Sequence, residues 1–166
     1  MKRETPQESV PLPLARVLLP VGYGAPLHRT CIDQALVCLP RALLVEVRWS
    51  SRSRLPGWGG AALRRRYGAR YLDVGPLLGN SAYREPGQIR IAALPQGVEV
   101  LLQLMEQGHT PLLLLCGCAE YLRCHRRQIC EAVQAADPSV TIWQPEQVLL
   151  WLASLPRQEG PHTCSV

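Results

Sequence analysis

The sequence predicts an α/β fold, a single three-layer, doubly wound domain with a mostly parallel sheet of about five strands. Two observations carry the prediction. Short apolar runs recur at residues 15–22, 42–48, 69–75, 111–116 and 139–143, and most are nearly continuous in apolar character, as strands buried on both faces require. Between them lie stretches with helical spacing, so strand then helix repeats five times. Right-handed crossovers then put helices on both sides of the sheet.

The elements follow in order. After the strand in "ARVLLPVG" comes "TCIDQALVCL", which places Cys31, Ala35 and Cys38 on one helical face. "ALLVEVR" is the second strand, and "GGAALRRRYG" a short helix that ends in glycine. "ARYLDVG" is the third strand. The stretch 76–95 is long, rich in turn residues and not clearly helical, as expected of a lid or site wall. A helix over 97–108 ends at Gly108, and "PLLLLC" is the fourth strand. The helix in "CHRRQICEAVQAAD" sets Ile129 and Val133 toward the core, with Cys130 beside them. "SVTIW" is the fifth strand, and "PEQVLLWLASLP" a helix with proline at its first position and another at its stop.

A chain of 166 residues suits one domain, set at 14–155. The polar, proline-bearing ends, 1–13 and 156–166, are expected to be disordered tails. Hydrophobic residues make up 47%, which is a globular composition. The net charge is +5 and Lys2 is the only lysine. Arginine offers a planar fork for phosphate or carboxylate, but a codon bias toward arginine explains the skew equally well, so charge alone does not select nucleic acid. No apolar run approaches a membrane span and no secretory leader pattern is present, which leads to a cytoplasmic expectation with no membrane partner. Seven cysteines in that setting are expected to be reduced thiols, and the odd count opposes a fully paired disulfide framework.

In a doubly wound sheet, ligands bind beyond the carboxyl ends of the strands. After the first strand come Tyr23 and Gly24, a turn a ligand can approach closely. At the end of the second, Glu46 and Arg48 stand two apart and share a face, followed by Arg52 and Arg54. They either form a buried ion pair or hold a substrate between them. Tyr71 and Asp73 mark the third strand's end. The fourth feeds "CGCAEYLRCHRR", with Cys124, His125 and Arg126 at a helix start whose free amides favour an anion and a thiolate. Cys116 and Cys124 are therefore better nucleophile candidates than Cys31 or Cys38. For zinc, C-x-C-x5-C-H has enough ligands but lacks paired C-x2-C arms, and no metal ligand is assigned. A phosphatase or rhodanese loop fails on spacing: six residues beyond Cys116 is Leu122, and six beyond Cys118 is Cys124. A looser anion pocket and a set of small buried hydrophobes remain open beside that weaker metal reading.

From about Val17 to Trp143 the chain resembles the domain of unknown function 488 family, small bacterial and archaeal proteins. The matching features are Gly22-Tyr23-Gly24, a V-[DE]-V-R strand at Val45 to Arg48 with Ser53-Arg54 and Pro56-Gly57, a Y-x6-L-G segment from Tyr71 to Gly79, and Cys116 separated by seven residues from Cys124-His125-Arg126. The resemblance implies the three-layer fold and a site built from the arginine strand and the Cys-His-Arg loop, and brings no reaction with it. Glu46 stands where the family usually has aspartate, and Cys118 where it usually has glutamate, a role Glu120 could take over.

The expectation is a pocket enzyme acting on a phosphate- or carboxylate-bearing small molecule, a nucleotide or a nucleic-acid end. Arg48, Arg52 and Arg126 would hold the anion, Glu46 would orient Arg48, His125 would move a proton, and Cys116 or Cys124 would supply the thiol. Tyr23, Gly24, Tyr71 and Asp73 would line the pocket; no cofactor is specified. Two rivals are a non-catalytic nucleic-acid module using the arginine-rich segment 48–66, with Trp49 and Trp58 stacking on bases, and a metal or redox thiol protein.

Overall fold

The computed structural model describes residues 15–156. The expected tails at 1–13 and 156–166 lie outside the described residues, Pro156 apart. Five parallel strands form one sheet: β1 Val17–Gly22, β2 Leu43–Glu46, β3 Tyr71–Asp73, β4 Leu112–Cys116 and β5 Thr141–Ile142, in the order β3-β2-β4-β1-β5. The helices are α1 Pro26–Cys38, α2 Gly60–Tyr67, α3 Gly75–Leu78, α4 Leu94–Glu106, α5 His125–Ala136 and α6 Pro145–Ser154. The three-layer α/β architecture expected from the sequence is the one observed.

Period-two alternation sorts the strand side chains between two cores. Val17, Leu19 and Val21 of β1, Leu44 of β2 and Leu113 and Leu115 of β4 pack with Cys31, Ile32, Ala35 and Leu36 of α1, Leu63 of α2 and Val148 and Leu152 of α6. Leu18, Leu43, Val45, Val47, Leu112 and Leu114 pack on the other side, with Leu78 of α3, Val98, Leu101 and Met105 of α4 and Ile129, Cys130 and Val133 of α5. Cys130 is thus a core residue, as its helical position implied. Both faces of β1 and β4 are covered, which is why these runs read as continuously apolar.

The order of the strands places the ligand edge. β1 and β4 are neighbours with Gly22 opposite Cys116. The helix after β1 packs on one face and the helix after β4 on the other. Connections that leave adjacent strands toward opposite faces open a crevice at the strands' carboxyl ends. β2 flanks β4 on its other side, with Glu46 opposite Leu115. Three strand ends therefore meet at β4.

Helix boundaries depart modestly from the sequence pattern. α1 starts with Pro26 in its first turn, four residues before the periodic stretch, because proline is preset for a first turn that needs no amide donors. α6 starts at Pro145 as expected, and the Gln147 side chain accepts from the Gln144 amide at 2.7 Å. The 76–95 stretch contains the end of the one-turn α3 and an antiparallel bridge between Asn80 and Ile91. Buried Asn80 holds this loop by bonding Gln88 O, Ala82 N and Arg90 N. Gly79 lies so close to the Trp49 backbone that a Cβ would fall 2.5 Å from Trp49 Cα. The loop therefore walls the end of β2, beside Arg48.

Candidate functional site

Two constellations form at the strand ends, and they lie on opposite faces of the sheet. Glu46 follows Leu44 in parity and faces the α1 and α2 side. Cys116 follows Leu112 and Leu114, so it faces α5. The sequence pattern suggests one pocket for the cysteines and Arg48; strand alternation separates them.

On the first face, fully buried Glu46 accepts from Arg48 Nε at 2.6 Å, from Arg48 Nη2 and from the Arg48 amide at 3.1 Å. Tyr71 Oη donates to the other Glu46 oxygen, Oε2, at 2.9 Å. Arg48 Nη1 points to the Arg52 carbonyl at 3.5 Å, and its guanidinium lies over the Tyr23 ring, 5.0 Å from the centroid. Tyr23 in turn stacks on buried Trp58 at 5.5 Å. Burial opposes the charge on Arg48, but Glu46 outweighs it and raises the pKa above its usual value. The pair is a satisfied, bidentate buried ion pair. Tyr71→Phe removes one bond to Glu46 and nothing else, so a loss of about 1 kcal/mol is expected in urea unfolding with the m-value unchanged.

On the second face, Cys116 at the end of β4, Cys124 at the N-cap of α5 and His125 at its first position converge. Their ligating atoms all lie within 4.8 Å of one another and all three residues are buried. Cys124 Sγ and His125 Nδ1 are 3.5 Å apart, and His125 Nε2 lies 2.6 Å from the Val47 carbonyl. A carbonyl only accepts, so Nε2 carries a proton and donates it there. Arg126, with no exposed surface, donates from Nε to Cys124 Sγ at 3.2 Å and from Nη2 to the Cys118 carbonyl at 2.7 Å. Its remaining terminal nitrogen, Nη1, is buried and bonds to no atom among the described residues.

The thiols influence one another. Hydrogen bonds from the Cys116 and Cys118 thiols, joined by His125 and Arg126, hold the Cys124 pKa far below the usual thiol range against the effect of burial. The Cys118 contact works to lower Cys116, but the Cys124 sulfur and burial prevail and push it to about 11. Cys118 is pushed up by the other two sulfurs and then by burial. Burial disfavours charge on His125, yet the Cys124 sulfur and the Val47 carbonyl raise its pKa. Among the three thiols, Cys124 is the one whose charged form its neighbours favour.

Several expected positions lie elsewhere. Arg52 is exposed and meets Arg48 only through its carbonyl. Asp73 is exposed and accepts from the Gly75 amide at 3.0 Å, closing a turn. Glu120 is exposed and pairs with Arg123 at 3.6 Å. Gly24 donates its amide to Gly117 O at 3.2 Å, and Tyr23 donates its own to Cys116 O at 3.1 Å, which ties the first turn to the site loop. Cys31, Cys116, Cys118, Cys124 and Cys130 are free thiols, whereas Cys38 is disulfide-bonded, against the expectation of reduced thiols.

His28 was not anticipated. Its Nδ1 accepts from the Gly22 amide at 2.9 Å, and burial followed by the nearby Arg126 charge lowers its pKa. Its signal was available: it occupies the first turn of the helix that leaves the first strand. Two open surface hollows, of about 360 and 460 Å³, are lined from Pro56, Trp58 and Arg65 and from Asp33, Tyr67 and Arg70. Neither includes a residue of the thiol cluster.

The fold and site together define a doubly wound α/β protein with a thiol, imidazole and guanidinium cluster at the β1/β4 crevice. No family model, curated protein or solved structure matches the chain significantly.

Proposed function

We propose that the protein is an enzyme that binds an anion-bearing substrate at the N-terminus of α5 and attacks it with the Cys124 thiolate. One observation carries the reading: Arg126 is wholly buried, donates from Nε to the Cys124 sulfur and keeps Nη1 uncommitted. A buried guanidinium donor without an acceptor costs stability, and a phosphate or carboxylate oxygen supplies the acceptor together with the free amides of the helix start. His125 Nδ1, 3.5 Å from the sulfur, takes the Cys124 thiol proton and returns it to the leaving group. Arg48, Arg52, Tyr71 and Asp73 play no direct part in this reading, because Glu46 holds the first and third and the others face solvent. The exposed stretch Cys118 to Glu120 is the route by which substrate reaches the buried sulfur.

The substrate class remains a phosphate- or carboxylate-bearing molecule, with a nucleotide or a nucleic-acid end as members of it. Kinship with the domain of unknown function 488 family and a cytoplasmic location belong to the same proposal; no helix among the described residues is long and apolar enough to cross a membrane. The nucleic-acid module is the weaker reading, since Trp58 is buried in a stack with Tyr23 and Arg48 is bound inward.

Two alkylating probes test the proposal on the reduced protein. Iodoacetate carries a carboxylate and iodoacetamide does not; with either, Cys124 Sγ forms the S–C bond as iodide departs. An ordinary thiolate favours the neutral probe. Here iodoacetate is expected to react with Cys124 at least as fast, inorganic phosphate to slow it, and Arg126→Gln to restore preference for iodoacetamide. A wild-type preference for iodoacetamide that phosphate does not alter would sink the reading.

A further inference from the structure

The Cys116, Cys124 and His125 donors have the geometry of a soft-metal centre. In a tetrahedral zinc site, with bonds of about 2.3 Å to sulfur and about 2.0 Å to nitrogen, neighbouring sulfurs stand roughly 3.8 Å apart and sulfur stands roughly 3.5 Å from nitrogen. Cys124 Sγ and His125 Nδ1 are already 3.5 Å apart, and the whole set lies within 4.8 Å. At most about an ångström of contraction completes it, within the reach of χ1 adjustments at the two cysteines.

The surroundings independently point the same way. A metal-binding histidine characteristically donates its other ring N–H to a carbonyl or carboxylate, which fixes the tautomer and turns the free lone pair toward the ion. His125 does this: Nε2 is bound to the Val47 carbonyl at 2.6 Å and Nδ1 faces the sulfurs. Arg126 Nε donates to Cys124 Sγ at 3.2 Å, the kind of N–H contact that a metal-bound thiolate retains. Cys118, two residues beyond Cys116 on the exposed loop, lies outside this converged set, and its carbonyl is held by Arg126 Nη2 at 2.7 Å. Thiolate and imidazole donors select zinc-class cations over calcium or magnesium.

We infer that Cys116, Cys124 and His125 bind one soft divalent cation of the zinc class, with the fourth position left to solvent or an exogenous ligand. Binding removes the thiol protons and ties up the Cys124 lone pair. Its consequence for activity rests on the reading of Cys124 as the nucleophile: the metal-loaded protein is a silenced form, released when a competing thiol or chelator takes the ion. The binding itself does not depend on that reading.

The test uses the full chain, reduced and stripped of metal, with Zn²⁺ and then Co²⁺ as probes. One Zn²⁺ per chain is expected to withstand a chromophoric chelator. Cys116→Ser and Cys124→Ser should each weaken binding by at least about 100-fold, the upper end of what loss of even an outer-shell partner causes. Should a buried variant fail to fold, the wild-type Co²⁺ spectrum decides: thiolate-to-cobalt charge-transfer bands with tetrahedral ligand-field intensity are expected. Substoichiometric Zn²⁺, or a Co²⁺ spectrum without thiolate bands, overturns the site. Zinc binding without the iodoacetate preference would reject the anion-enzyme reading alone. That preference without zinc binding would reject the metal site alone.

Discussion

Glu46→Ala is expected to destabilise the fold by about 3–5 kcal/mol, because it leaves the buried Arg48 guanidinium without its counter-charge. Glu46 has no exposed surface and Arg48 has 7%, so water cannot take over the lost bonds. At roughly 2–4 °C per kcal/mol for a chain of this size, the melting temperature should fall by roughly 6–20 °C. The effect is a penalty for breaking the pair and does not measure the pair's net worth. A double variant, Glu46→Leu with Arg48→Met, removes both charges at similar volume and should recover most of the loss. Thermal unfolding of the two variants side by side separates these terms. A single variant within about 1 kcal/mol of wild type would mean that Arg48 finds another acceptor or leaves the interior. The double variant also tests function, since a pair that only fixes the end of β2 can be replaced without loss of anion selectivity at Cys124.

That separation bears on what was legible in the sequence. All five strands were visible because β1 and β4 are buried on both faces, and an unbroken apolar run such as Leu112 to Leu115 needs cover on both sides of the sheet. The N-cap of α5 was visible too, since Cys124-His125-Arg126 follows a strand and a loop and opens a periodic stretch. What the pattern did not carry was the face. The spacing of two sets Glu46 and Arg48 on one face and leaves open whether they pair or hold a substrate, whereas parity across the β2 and β4 register puts Cys116 on the other face. Residues acting through the backbone left no side-chain signature at all. The Val47 carbonyl that fixes the His125 ring and the Cys118 carbonyl that holds Arg126 are examples. His28 is hidden for another reason: it lies in the proline-led first turn of α1, where apolar periodicity is absent.

Gly22 belongs to the same hidden class, and its substitution should have the second large effect. Gly22 ends β1 directly opposite Cys116, where the site loop crosses the crevice. A Cβ there would fall 1.8 Å from the Cys118 carbonyl oxygen and 2.8 Å from its carbon. Those are backbone atoms, so no rotamer change relieves the clash and the loop itself must move. Gly22→Ala is therefore expected to cost about 1–3 kcal/mol, the usual range for inserting a methyl group into a packed interior, or more. The larger consequence falls on the site. Displacing Cys118 breaks the 2.7 Å bond from Arg126 Nη2, and Nη1 would itself stand 3.1 Å from the new Cβ. Arg126 then loses both its anchor and the space at its uncommitted nitrogen. Zinc retention and the iodoacetate preference should disappear together while the far-ultraviolet circular dichroism stays that of the folded domain. Gly59→Ala is the matched control, since its nearest neighbour would be Ser51 O at 3.8 Å, an ordinary contact. A Gly22→Ala protein with unchanged zinc affinity and probe preference would show that the loop need not pass over Gly22 for the cluster to form, and the close approach would lose its claim to build the site.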